Sequence, residues 1–155
     1  MKKIIALAAM LLCCSALAGC GGNTSVSDSV KLTPAEKTQK VLDNVTHPEL
    51  VEVTGDRLSA YYGIEDGKVT EFSAYICGSG AMPDEFGVFI VADESAAAEL
   101  AASLNDRVEK QRSTFADYTP DEMYKFDDCF VNTNGTTVSY AVCVDNSFAL
   151  ETFGN

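Results

Sequence analysis

The chain is 155 residues long, with 11 Lys and Arg against 23 Asp and Glu, one His, no Trp and six Cys. That length suits one domain, and 46% apolar with 22% charged residues excludes a disordered, collagen-like or coiled-coil chain. A formal charge of −12 excludes phosphate-backbone binding, which needs clustered Lys and Arg, so no nucleic-acid partner is expected.

Lys2 and Lys3 precede an almost unbroken apolar run from Ile4 to Ala18. The run falls short of the roughly 18 to 20 residues of a bilayer-spanning helix, so it reads as an export signal over residues 1–19. It ends Leu17-Ala18-Gly19-Cys20, which resembles the lipobox of bacterial lipoproteins. The resemblance implies that the Cys20 thiol is diacylated and the peptide cut just before it. Two acyl chains, at about 0.8 kcal/mol per buried methylene, hold a protein on a bilayer where one does not. Losing Lys2 and Lys3 leaves nine basic against 23 acidic residues, a formal −14. Residues 20–32 are small, polar and turn-rich, which suits a flexible tether between the lipid and a single domain over 33–155.

Within that domain, Thr33-Pro34-Ala35-Glu36 is a capping box with Pro at the first helical position. Val41, Leu42 and Val45 supply an apolar stripe, and His47-Pro48 ends the helix. Leu50, Val53, Leu58, Tyr61 and Tyr62 fit a broken helical pattern, which predicts a second helix over Glu49 to Tyr62 closed by Gly63. After Asp66-Gly67, Lys68 to Ile76 reads as a strand, and Phe86 to Val91 as another, joined through Gly78-Ser79-Gly80 and Pro83. Ala97, Leu100, Ala101, Leu104, Val108, Gln111 and Phe115 recur at helical spacing and predict one long helix over Asp93 to Ala116. Thr119-Pro120-Asp121-Glu122 starts a short helix through Phe126. Cys129 to Thr133 and Thr136 to Val144 flank Asn134-Gly135, a hairpin signal, and Phe148 to Phe153 forms a last helical turn or two. The expected fold is α+β: two layers, an antiparallel sheet of about four strands in two pairs, a long helix packed on it, and N-terminal helices.

Four segments appear in order: Tyr61-Tyr62-Gly63-Ile64, Met82-Pro83-Asp84-Glu85-Phe86-Gly87-Val88-Phe89, Arg107-Val108-Glu109-Lys110-Gln111-Arg112, and Phe115-Ala116-Asp117-Tyr118-Thr119-Pro120. With the lipobox, they resemble an uncharacterised lipoprotein family of Gram-positive anaerobes known only as a domain of unknown function. The resemblance spans Pro34 to Phe153 and implies no activity and no catalytic residue.

Three cysteines remain after processing: Cys77, Cys129 and Cys143. An extracytoplasmic site permits a disulfide. A turn centred on Asn134-Gly135 sets Cys129 opposite Tyr140 and puts Cys143 on the other face, which disfavours a Cys129–Cys143 bridge. Cys77–Cys143, Cys77–Cys129 and three reduced buried thiols stay open, as does a redox role for any of the three. No C-x-x-C spacing survives to suggest a metal. His47, the sole histidine, reads as a solvent-facing turn residue and has no partner for a hydrolase triad. Gly78-Ser79-Gly80 lacks the spacing of a nucleophile elbow and reads as a loop.

Asp84-Glu85 and Asp127-Asp128 are candidate paired carboxylates, with solvated acidic loops as the plainer reading. Phe72, Tyr75, Phe86, Phe89, Phe115, Tyr118, Phe130 and Tyr140 are expected in the core. Arg107 and Gln111 lie one turn apart, and Gln111 sits in the apolar stripe, so it needs a buried partner. No cofactor or metal set converges. The expectation is a membrane-anchored, extracytoplasmic, non-enzymatic binding, sensing or assembly module. Its partners would be the bilayer and an envelope protein or small ligand. The alternative is a carboxylate-dependent envelope enzyme.

Overall fold

Thr33 opens the first helix of the computed structural model, which describes residues 31–65 and 67–154. The export signal, Cys20 and most of the tether lie outside the described residues, as does Asp66 of the expected turn. The Thr33 hydroxyl accepts from the Glu36 N–H, and the Glu36 carboxylate accepts from the Thr33 N–H, closing the expected capping box on α1 (Pro34–Asn44).

The chain then departs from expectation. In place of one helix over 49–62 it forms an edge strand β1 (Leu50–Glu52), a 3₁₀ turn (Gly55–Arg57) and a five-residue helix α2 (Leu58–Tyr62). Val51 and Val53 favour extended backbone, and Thr54-Gly55 interrupts any helix. The antiparallel partner that β1 needs is β2 (Val69–Cys77), where Leu50 faces Cys77. Gly63 does close α2, at φ +64, as the αL residue that the pattern called for.

β2 pairs with β3 (Glu85–Val91), β3 with β5 (Thr137–Val142), and β5 with β4 (Phe130–Asn134), every ladder antiparallel. Among the described residues the sheet has five strands in the order β1-β2-β3-β5-β4, so the α+β class stands and the strand count rises by one over the expected four. The hairpin register differs by one residue on each strand. The two-residue turn is Gly135-Thr136, with Gly135 at φ +57, so Val131 rather than Cys129 faces Tyr140. Primed turns need φ > 0 at their first central residue, and Gly135 is the residue that adopts it without strain.

Helices cover both faces, so the fold has three layers where two were expected. Alternate residues of β3 show why. Phe89 and Val91 join Ala97, Leu100, Leu104 and Val108 of α3 (Glu94–Tyr118) in one core. Phe86 and Val88 join Val41 and Val45 beside α1, with Ala149 and Phe153 of α4 (Asn146–Gly154), in the other. A strand buried on both faces reads as a continuous apolar run, which is how Phe86 to Val91 reads. The short helix expected after Thr119 is a 3₁₀ helix (Pro120–Phe126), which links α3 to β4. Of the aromatic set, Phe86, Phe89, Phe115 and Tyr140 are buried, Phe72, Tyr75 and Phe130 are half-buried, and Tyr118 is 66% exposed at the end of α3.

Candidate functional site

Asp84, just before β3, and Glu85, its first residue, are the chemical surprise. Asp84 and Glu85 are each 1% exposed, which corrects the reading of a solvated acidic loop. Burying carboxylates without partners is prohibitive, so each has a cation. Glu85 faces α3, where Arg107 grips it in a fork: Nε donates at 3.0 and 3.1 Å to its two oxygens and Nη2 at 2.6 Å to Oε2. Gln111, one turn along, donates to the same Oε2 at 3.1 Å, which is the buried partner its place in the apolar stripe demanded. The Arg107 guanidinium lies over Tyr61 and Tyr62, 5.5 and 5.6 Å from their ring centres, and Nη1 donates to the Tyr61 carbonyl. Behind the pair, the Tyr62 and Tyr140 hydroxyls meet at 3.0 Å.

Asp84 is held differently. Lys125, on the 3₁₀ helix and itself buried, donates to Asp84 Oδ2 at 2.6 Å and also pairs with Glu122 at 2.7 Å. Asp84 Oδ1 has no hydrogen-bond partner among the described residues. The Lys125 position is fixed from behind by Asn146, which donates to the Lys125 carbonyl at 2.7 Å and accepts from the Cys143 N–H. Nothing local in the sequence ties Lys125 to Asp84, 41 residues earlier.

Electrostatically the two carboxylates resemble each other. Burial pushes Glu85 above its ordinary value, against the pull of Arg107 and Gln111. Burial likewise raises Asp84, against Lys125. Burial alone would lower the two cations, but Glu85 holds Arg107 above its usual value, and Asp84 and Glu122 do the same for Lys125. Both cations therefore stay charged.

Asp84, Glu85, Arg107 and Gln111 share one cavity of about 280 Å³ with Tyr61, Phe115 and the loop between β2 and β3. Cys77, the last residue of β2, opens into it, with Gly78-Ser79-Gly80 and Met82 on the rim. The loop is tight: Gly80 sits at φ +66, and a Cβ on Gly78 would fall 2.7 Å from Val51 Cγ1. This folds the chain back over the sulfur, and the Ser79 hydroxyl lies 3.3 Å from Cys77 Sγ. Burial alone would raise the Cys77 thiol. The Ser79 hydroxyl and the backbone N–H groups of Met82, Ser79 and Ala81 outweigh it and bring the thiol below its ordinary value.

Cys77, Cys129 and Cys143 are free thiols in this structure. β3 lies between β2, which ends at Cys77, and β5, which leads into Cys143. Two strand spacings, about 9–10 Å, exceed the reach of a disulfide without backbone movement. Cys129 packs on the α3 side and Cys143 on the α1 side, the opposite faces expected of them. Burial raises Cys129, and it pushes Cys143 up to about 12. Alkylation by iodoacetamide followed across pH should therefore give Cys77 the lowest midpoint, with Cys129 rising at higher pH and Cys143 last. Equal midpoints at Cys77 and Cys129 would remove the distinction.

The other candidates disperse. His47 is exposed, its ring nitrogens 2.7 Å from the Pro48 carbonyl and 3.3 Å from that of Leu42, at a shallow hollow with Tyr124 and Val144. Asp127 and Asp128 lie exposed in the turn before β4. No group of three or more His, Cys, Asp and Glu suited to a metal occurs among the described residues.

A family model described as "Domain of unknown function (DUF4358)" matches residues 43–143. The chain belongs to this family. No curated protein and no solved structure matches the chain. The matched stretch contains every residue of the cavity, both buried ion pairs and all five strands, so the DUF4358 domain is the unit that carries the site. α4 lies beyond it. No helix among the described residues is long and apolar enough to cross a membrane.

Proposed function

We propose that the chain is a lipoprotein of a Gram-positive cell envelope, anchored to the outer face of the membrane through acylated Cys20. Its DUF4358 domain is a non-enzymatic module that binds or senses a small ligand or an envelope protein. The observation that carries the anchor is Leu17-Ala18-Gly19-Cys20 at the end of an apolar run of export length, followed by a polar tether. The binding role is supported by the cavity and by the state of its carboxylates. General acid–base work needs a group free to trade a proton with substrate, and Glu85 is committed to Arg107 and Gln111.

Labelling cells with a fatty acid analogue tests the anchor. The wild type should take the label and the Cys20→Ser variant should lose it. Equal labelling of the two would end the lipoprotein reading. The rival, a carboxylate-dependent envelope enzyme, draws its support from Asp84, a residue of the cavity lining whose Oδ1 has no hydrogen-bond partner among the described residues. Turnover of cell-wall polymer that is abolished in a folded Asp84→Asn variant would establish the rival instead.

A further inference from the structure

We propose that the free edge of β4 pairs with the same edge of a second copy of this chain, antiparallel about Asn132, so that two domains share one continuous sheet. The edge is open by register. The Thr136 carbonyl accepts from the Val91 N–H at 2.9 Å, so Thr136 and Val138 turn toward β3, and Thr137, Ser139 and Ala141 turn toward β4. Their partners Asn134, Asn132 and Phe130 therefore spend their main-chain groups on β5. Val131 and Thr133 point theirs the other way, where the described residues supply no hydrogen-bond partner.

The opposite edge of the sheet shows what protection looks like. β1 is three residues long and carries Glu52, with Glu49 just before it. β4 has five residues, no charge, no Pro and no bulge against β5. Natural sheets guard their edges by those devices, and a strand without them is a template for another strand.

The charge pattern selects the second copy as the occupant. Cys129 to Val144 is sixteen residues without a charge, the longest such run from residue 31 onward, in a chain of formal charge −12. Copies that meet elsewhere set acidic surface against acidic surface, and at β4 they do not. Antiparallel pairing about Asn132 also keeps Asp127 and Asp128 of the two copies apart, each pair falling at the level of the uncharged Gly135-Thr136 turn of the other copy. A parallel alignment would instead stack these acids on themselves. Val131 of each copy faces Thr133 of the other, exchanges main-chain bonds with it and packs one β-branched side chain on another. A strand pair alone buries little area, so the dimer is weak and forms by mass action. It goes beyond the binding role and does not rest on the Cys20 anchor.

On the two-fold axis the Asn132 residues form a non-hydrogen-bonded pair, their Cα atoms about 4.5 Å apart and within reach of a disulfide. At ~3.3 Å per residue, the two Cys129 residues sit about 20 Å apart and the two Asn134 residues about 13 Å. The test oxidises the full chain, purified in detergent micelles, with copper phenanthroline. Asn132→Cys should form a disulfide dimer at least about tenfold faster than Asn134→Cys, although Asn134 is the more exposed of the two. The wild type should run as a monomer on a denaturing gel. Adding Thr133→Pro, which removes an outward N–H and leaves the β5 ladder whole, should bring the Asn132→Cys rate down to that of Asn134→Cys. Circular dichroism checks that each variant folds. Should one not, sedimentation of the wild type decides: a dimer that grows with concentration supports the proposal, and a monomer throughout overturns it. Equal rates at 132 and 134, wild-type linkage through Cys129, or a rate unmoved by Thr133→Pro also overturns it.

Discussion

Arg107→Met should destabilise the domain by about 3–5 kcal/mol, a large share of the roughly 5–15 kcal/mol that holds a domain of this kind. Most of the loss comes from what stays behind. The Glu85 side chain is 2% exposed and would keep a charge with only the Gln111 amide to meet it. The reverse change is milder, because the Arg107 side chain is 19% exposed and reaches water when Glu85→Gln removes its partner. Acid should relieve the Arg107→Met variant. Burial already raises Glu85 above its ordinary value, and the variant removes the guanidinium that opposes the rise. A carboxyl with a folded pKa above its unfolded one costs nothing below the unfolded value and costs more as pH rises through the folded value. Urea midpoints taken from pH 7 down into the carboxylate range should show the deficit shrinking.

Phe89→Ala should cost a comparable amount, about 3–5 kcal/mol, by a different route. Phe89 is fully buried on the α3 face of β3, the middle strand of the sheet. Its ring meets Tyr62 edge-on at 5.1 Å and stacks on Phe72 and Tyr140 at 6.1 and 6.3 Å. Truncation opens a hollow that the strand cannot close, because β2 and β5 hold β3 on both sides. It also removes a wall from the Tyr62–Tyr140 hydroxyl pair behind Arg107. At roughly 2–8 °C per kcal/mol for chains of this size, calorimetry should record a drop in Tm of well over 5 °C. A drop of under 2 °C would mean that the aromatic cluster is not the keystone of this core.

The fold was legible in the sequence wherever the signal is local. The stripe from Ala97 to Phe115 marks α3, which spans Glu94–Tyr118. The two Thr-Pro starts mark α1 and the 3₁₀ helix, and Asn134-Gly135 marks the hairpin to within one residue. β1 was illegible because three residues carry no period, and Leu50–Glu52 becomes a strand only by pairing with β2. The three layers were hidden for a similar reason: an apolar run over 86–91 says that β3 is buried, and not which helices bury it.

The site divides the same way. Gln111, polar within an apolar stripe, announces a buried partner, and Asp84-Glu85 supplies it. Yet the two ends of that interaction lie 26 residues apart on different elements, so each was visible and their meeting was not. Lys125 was missed altogether, since a lysine beside Tyr124 on a short helix gives no sign of burial. Cys77 stood out only as one of three thiols; what separates it is the fold of the loop from Gly78 to Met82, which turns donors toward its sulfur.

Whether Glu85 is spent on Arg107, and is not a free acid or base facing the cavity, is measured most directly by a double-mutant cycle. Glu85→Leu, Arg107→Met and the double variant would be unfolded in urea at pH 7. The expected coupling is about 2 kcal/mol or more, with the double variant more stable than Arg107→Met alone, because removing both charges leaves none buried unpaired. Single effects that add to within about 0.5 kcal/mol would contradict it, and would return Glu85 to the list of candidate catalytic groups.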